Sequence, residues 1–282
     1  MSSVDPDHAA LIAAQEAGCA LCTLVQVDGA FSRAPGAQLA VRADGSVVGD
    51  MTGGCLEAAL VSEVARARAE GRNRQVRYGR GSPYIDIRLP CGGGVEVLID
   101  VAPDRTEIGD VVASLGARQE GTLTVTLGDG TPFIRRYYPT FRLLIFGNGP
   151  EVEALSALGG AWGVNIECVP LARHGALPPA LVADAWSAVI ALIHEHEWED
   201  NILAWALASD AFYVGALGGI TAVARRQSAL RAQGFDGQAI ARVRGPVGLL
   251  PFAKDAQMLA ISILAEIAQG YGQMTGRLPA PL

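Results

Sequence analysis

The chain has 282 residues, 50% hydrophobic and 18% charged, which suits one large or two ordinary globular domains and excludes extended disorder. A formal net charge of −7 argues against nucleic acid or an anionic membrane as the main partner, because both demand concentrated Lys and Arg. The acidic N-terminus lacks the cationic stretch of a signal peptide, and no run approaches the roughly 18 apolar residues of a membrane helix, so the expected compartment is the cytoplasm.

Residues 6–17 predict a helix capped by Asp5 or Asp7. Strands are expected at 20–27 and 37–42, and Asp44-Gly45 then turns the chain into a short hairpin partner. The stretch Thr52-Gly53-Gly54-Cys55 leads into a helix that Gly71 stops, and the strand QVRYG follows. The loop Leu89-Pro90-Cys91-Gly92-Gly93-Gly94 opens the strand VEVLIDVA, and 122–127 with 133–138 flank Asp129-Gly130 as a further hairpin. Beyond Pro139 the pattern changes to alternating strands and helices: strands at 142–147, 164–169, 187–193 and 211–216, helices at 151–162, 198–208, 220–233 and 256–269. That alternation predicts a doubly wound parallel α/β domain over 139–282, joined to an α+β domain over 1–138.

The five cysteines are too few for a disulfide framework in so long a chain. Cys19 and Cys22 form a C-x-x-C, but in the strand-like run ALCTLVQV residues three apart point to opposite faces. No redox or metal role is expected for them, and no metal site is expected elsewhere. His194-Glu195-His196 lacks a third ligand and reads as a polar loop.

Four glycine-rich turns are candidates for binding. At Gly53-Gly54-Cys55, glycines at a strand-to-helix junction leave backbone N–H groups to face an anion, and the helix dipole favours a thiolate at Cys55 and a carboxylate at Glu57. A buried thiol at a tight junction is the plainer alternative. Three glycines beside Cys91 exceed what a bare turn requires and suit a loop wrapped closely round a ligand. Gly147-Asn148-Gly149 follows a strand and precedes a helix, the setting of a dinucleotide fingerprint. However, Val152 occupies the third small position, Pro170 ends the second strand where a ribose-binding acid belongs, and Glu167 sits mid-strand. Gly215 to Gly219 form a second phosphate-cradle candidate, with Arg225 and Arg226 read as solvating the helix that follows. Gly245-Pro246-Val247-Gly248 is a further tight loop.

Taken in order, TGGCLE, LPCGGGVEV, RLLIFGNG, YVGALGG, GPVGL and AISILAEI resemble the XdhC/CoxI family over nearly the whole chain. GAFSRAPGAQL resembles that family's early loop, keeping Arg33 and Gly36 with Ser32 in place of Pro. The resemblance implies an XdhC-type domain followed by a Rossmann-like domain, usually in a homodimer. It implies a protein that binds molybdenum cofactor (molybdopterin), promotes replacement of an oxo ligand by sulfur, and delivers the cofactor to a xanthine dehydrogenase-like or CO dehydrogenase-like client, with a cysteine desulfurase as a further partner. The cofactor-facing residues it implies are Arg33, Gly53, Gly54, Cys55, Glu57, Cys91, Gly92 and Gly93, with Gly147, Gly149, Gly215 and Gly218 in the second domain.

Pro150 and Val152 replace the family's His and Ala, and Pro170 and Leu250 replace acids. These departures count against NAD(P) use. The rival readings are an NAD(P)-dependent oxidoreductase built on the second domain and a carrier of persulfide sulfur on Cys55 or Cys91.

Overall fold

The computed structural model describes residues 5–51, 53–54, 56–82, 92–170, 176–193, 196–250 and 253–278. The chain divides into two compact units, residues 4–139 and residues 140–282. Cys55, Cys91, His194 and Glu195 lie outside the described residues.

In the first unit, α1 (Pro6–Ala13) precedes strands β1 (Ala20–Asp28), β2 (Gln38–Val41) and β3 (Val47–Gly49), then α2 (Glu57–Glu70), β4 (Arg74–Gly79) and β5 (Gly94–Asp100). After these come α3 (Arg105–Gly116) and the hairpin β6 (Gly121–Thr126) and β7 (Pro132–Tyr137). The five strands form one antiparallel sheet in the order β3-β2-β1-β5-β4. Both faces are covered. Leu60, Val64 and Ala67 of α2 pack with Ala20, Cys22, Leu24, Val97 and Ile99 on one side. Ala10 and Leu11 of α1, Ile108 and Val111 of α3 and Leu123 of the hairpin pack with Leu21 and Leu98 on the other. That double burial is why β1 reads as a continuous apolar run instead of alternating.

Asp5 is the cap of α1, its carboxylate accepting from the Asp7 amide at 3.0 Å. The helix ends at Ala13, earlier than the expected 17, because tighter turns at Gln15 and Glu16 carry the chain to Gly18, where φ is +74°. Helix α3 is an addition to the elements expected from the sequence. Its signal is Asp104, whose carboxylate caps the amides of Thr106 and Glu107.

Cys19 and Cys22 belong to opposite faces of the sheet, Cys19 packed with α1 and α3 and Cys22 beneath α2, so they cannot chelate one ion together. Burial pushes the Cys22 thiol up to about 12, and burial raises that of Cys19 as well. Burial thus favours the protonated, unreactive thiol at Cys22, whereas Cys168 is exposed. Iodoacetamide on the native protein at pH 8 is expected to alkylate Cys168 and spare Cys22. Mass spectrometry of the peptides checks this, and equal labelling of Cys22 would contradict its burial.

The second unit holds β8 (Arg142–Gly147), α4 (Pro150–Trp162), β9 (Asn165–Val169), β10 (Ser187–Leu192), α5 (His196–Leu207), β11 (Tyr213–Ala216), α6 (Ile220–Ala232), α7 (Gly237–Ala241), β12 (Val243–Arg244) and α8 (Ala256–Met274). All five strands are parallel, in the order β12-β11-β10-β8-β9. Helices α5, α6 and α7 cover one face through Ile202, Leu203, Leu230 and Ile240. Helices α4 and α8 pack together, and Phe141, Trp162, Phe212 and Tyr271 make an aromatic cluster there. The fold is a doubly wound α/β domain. Helix α8 runs five residues past its expected end, through Gly270 and Gly272. Gly272 is needed there because Leu278 folds back over it, its amide donating to the Gly272 carbonyl at 2.9 Å. No helix among the described residues is long and apolar enough to cross a membrane.

Candidate functional site

The direction of α2 decides where the first unit's glycine loops emerge. Arg68, in its last turn, donates to the carbonyls of Gly18 at 2.7 Å and Val41 at 2.8 Å, beside the start of β1 and the end of β2. The N-terminus of α2, roughly 20 Å away, points to the opposite end of the sheet. There β1 finishes at Asp28, β4 finishes at Gly79 and β5 begins at Gly94, all three in register. The described neighbours of Cys55 (Gly54 and Leu56) and of Cys91 (Gly92) therefore stand at one end of one sheet. The 29–37 loop that carries Arg33 joins β1 to β2 at that same end.

The amides of Gly53, Gly54 and Leu56 are not free, contrary to the expectation from the glycines. Gly53 N–H donates to Asp50 Oδ1 at 2.8 Å, Gly54 N–H to Glu57 Oε1 at 2.9 Å and Leu56 N–H to Glu57 Oε2 at 3.1 Å. Glu57 fills the anion position with its own carboxylate. Gly53 and Gly54 adopt φ of +63° and +94°, and among the described residues a Cβ on either would meet nothing within 4 Å, so glycine serves backbone conformation here. Gly93 is different: a Cβ would come within 2.5 Å of the Asp28 carbonyl oxygen, so the second loop lies directly on the end of β1.

Arg33 donates to Asp7 Oδ1 at 2.6 Å, and Arg135 of β7 donates to Asp7 Oδ2 at 2.8 Å. Gln38 N–H joins them at 3.2 Å, and the Gln38 side chain bonds Thr23 and the Tyr137 hydroxyl, all buried. The Arg33 guanidinium thus ties the 29–37 loop to α1 and the hairpin. Asp28 accepts from Arg77 and from Gln26, and the Arg77 guanidinium holds its carboxyl below the usual carboxylate range. Arg80, which no sequence motif singles out, is exposed at this end, and its backbone N–H donates to the Gly93 carbonyl at 2.9 Å.

In the second unit the strand order reverses between β8 and β10, which opens a crevice beyond their carboxyl ends. Gly147 and Gly149 stand there with φ of +141° and +95°. Gly149 is the N-cap of α4, whose first turn carries Glu151 and Glu153. Those carboxylates already complement the helix dipole and would repel a pyrophosphate. Gly215 lies inside β11, and a Cβ would meet Tyr213 and Val247 at 2.8 Å, so it is a packing glycine. Gly218, with φ of +122°, admits the turn into α6.

Arg226 corrects the expectation of a solvated helix face. It is 2% exposed and donates through Nη2 to Glu199 at 2.7 Å and to the Leu217 carbonyl at 2.7 Å, while Arg225 bonds Glu199 and Asp200. Sequence spacing offers no signal for this network, because Glu199 and Arg226 belong to different helices.

A model of the XdhC and CoxI family matches residues 12–79, and one of the XdhC Rossmann domain matches residues 143–267. A protein of Escherichia coli (strain K12) named molybdenum cofactor insertion chaperone PaoD is 34% identical over 266 residues, covering 89% of this chain and 83% of its own. The chain belongs to the XdhC/CoxI family. A second relative, from Bacillus subtilis (strain 168) and named as a probable xanthine dehydrogenase component, is 22% identical and covers 88% of this chain and 92% of its own. A crystal structure described as a xanthine dehydrogenase from Bacillus halodurans superposes with a TM-score of 0.72 at 20% identity, over 94% of each chain. At that identity it shares the fold of this XdhC/CoxI member.

Proposed function

We propose that this chain is an accessory protein for a molybdenum hydroxylase, one that binds molybdenum cofactor as cargo, supports its sulfuration and inserts it into a xanthine dehydrogenase-like or CO dehydrogenase-like client. The carrying observation is that the two glycine loops beside Cys55 and Cys91 emerge at one end of one sheet. The 34% identity to a molybdenum cofactor insertion chaperone supports the same reading. Among the described residues nothing crowds Gly53, Gly54 or Gly92, which suits a flat pterin, and thiols suit a molybdenum centre. In this reading Cys55 and Cys91 face the metal, and Gly53, Gly54, Gly92 and Gly93 shape the loops. Glu57 holds the first of these loops in place, and Arg33 holds the neighbouring 29–37 loop. The protein works in the cytoplasm as a homodimer, and a cysteine desulfurase supplies sulfur.

The Rossmann-like domain acts without NAD(P). Glu151 and Glu153 occupy the dipole end that a pyrophosphate would need, and Pro170 ends β9 without a ribose-binding acid. Gly147, Gly149 and Gly218 then serve as turn residues beside the crevice. In a sulfur-carrier role, one of the two loop cysteines would be indispensable for sulfuration and dispensable for cofactor binding.

The test is cofactor retention. The purified protein is incubated anaerobically with molybdenum cofactor, unbound ligand is removed, and retained pterin is measured for the wild type, Cys55→Ser and Cys91→Ser. Stoichiometric retention by the wild type is expected, with a fall of about tenfold or more in either variant, the scale of one lost charge-assisted contact. Failure of the wild type to retain any pterin would sink this reading.

A further inference from the structure

We infer that Arg80 recognises the phosphate ester of the bound pterin, an inference that rests on the reading that the cargo binds at this end of the sheet. It follows from which anion-binding groups are already taken among the described residues there. The amides of Gly53, Gly54 and Leu56 are taken by Asp50 and Glu57. Arg33 is held by Asp7 and Arg77 by Asp28. Both oxygens of Asp28 are engaged, one by Arg77 and one by Gln26. Arg80 is exposed, and among the described residues no carboxylate lies within ion-pair distance of its guanidinium.

Its placement is determined by backbone on both sides. The Arg80 amide donates to the Gly93 carbonyl, and the Arg80 carbonyl accepts from Arg77 Nε at 3.0 Å. Its Nη2 reaches to 3.8 Å from the point where a side chain on Gly29 would begin, and Gly93 Cα is 3.6 Å from that same point. The guanidinium therefore stands over the junction of the 29–37 loop and the second glycine loop. A planar fork of donors held at one place is the group that reads a phosphate with two parallel hydrogen bonds. An exposed arginine at a glycine-lined end of a chain with net charge −7, its charge felt by Asp28 but held in no ion pair among the described residues, also gives an anionic cargo a local point of attraction.

The probes are the oxidised fluorescent pterin prepared from molybdenum cofactor, with its phosphate and after phosphatase treatment. Equilibrium dialysis gives the affinity of each for the wild type and for Arg80→Gln, both as full chains with matching thermal midpoints. The wild type is expected to prefer the phosphorylated form by about 10- to 100-fold, the usual range for hydrogen bonds to a charged group. Arg80→Gln is expected to bind both forms alike, at the level of the wild type with the dephosphorylated one. A variant that keeps the phosphate preference overturns the assignment while leaving the cofactor site in place, as does a wild type indifferent to the phosphate. A wild type that binds neither form defeats the site and the Arg80 assignment together.

Discussion

Replacing Gly147 by alanine is expected to destabilise the protein by about 3–5 kcal/mol, from backbone strain and overpacking combined. Gly147 adopts φ of +141°, and a Cβ would stand far inside the contact distance of the Leu192 carbonyl oxygen. That oxygen is backbone and cannot yield easily, because Leu192 pairs with Gly147 at the end of the β8–β10 ladder. Gly160→Ala, in the same βα unit but with nothing within 4 Å of its Cβ, is the contrasting substitution. It is expected to stabilise α4 by about 0.5–1 kcal/mol, since alanine restricts the unfolded chain and suits a helix better. Urea unfolding of both variants checks the pair. A Gly147→Ala loss below about 1 kcal/mol, on the scale of the contrast, would mean that the β8–α4 turn relaxes without strain.

Removing Arg226 is the second large effect. Arg226→Ala leaves Glu199 buried and short of one partner, and breaking a buried pair in this way costs about 3–5 kcal/mol. The penalty also reaches the β11–α6 turn, because Arg226 Nη2 holds the Leu217 carbonyl. Arg226→Met with Glu199→Met removes both charges. Arg225 keeps its two bonds to Asp200, so the double variant is expected to lose less than the two single ones added together. Additive losses in chemical denaturation would show that the pair is not coupled. The arginine is an imperfect fit even now, since its Nε is buried without a partner.

The candidate site shows where reading residues in order stops being enough. Gly53 and Gly54 adopt positive φ, a local property of the chain. They suggest free amides too, and that fails because Asp50 and Glu57 reach those amides from three residues away. The capping carboxylate and the hypothetical ligand compete for the same donors, and the nearer one occupies them. Arg80 escapes a reading of the sequence for the opposite reason. Nothing next to it in sequence marks it, and its interest comes from standing on Gly93 while Arg77 is engaged by Asp28. Gly215 reads as part of a phosphate cradle because glycines follow a strand, yet it lies within the strand and clears space for Tyr213 and Val247.

Short-range periodicity and turn chemistry account for everything legible in the residues alone. The continuous apolar runs, the alternation of strand and helix after Pro139 and the opposite facing of Cys19 and Cys22 all follow from geometry within a few residues, and the structure has them. Six ordered motifs are enough to indicate the family. Tertiary packing was needed to fix the pairing order of the sheets, the placing of Gly54 and Gly92 at one end of one sheet, and the burial of Arg226 against Glu199. Each of those depends on which distant groups satisfy one another's charge and hydrogen bonds once water is excluded, and no local pattern encodes that choice.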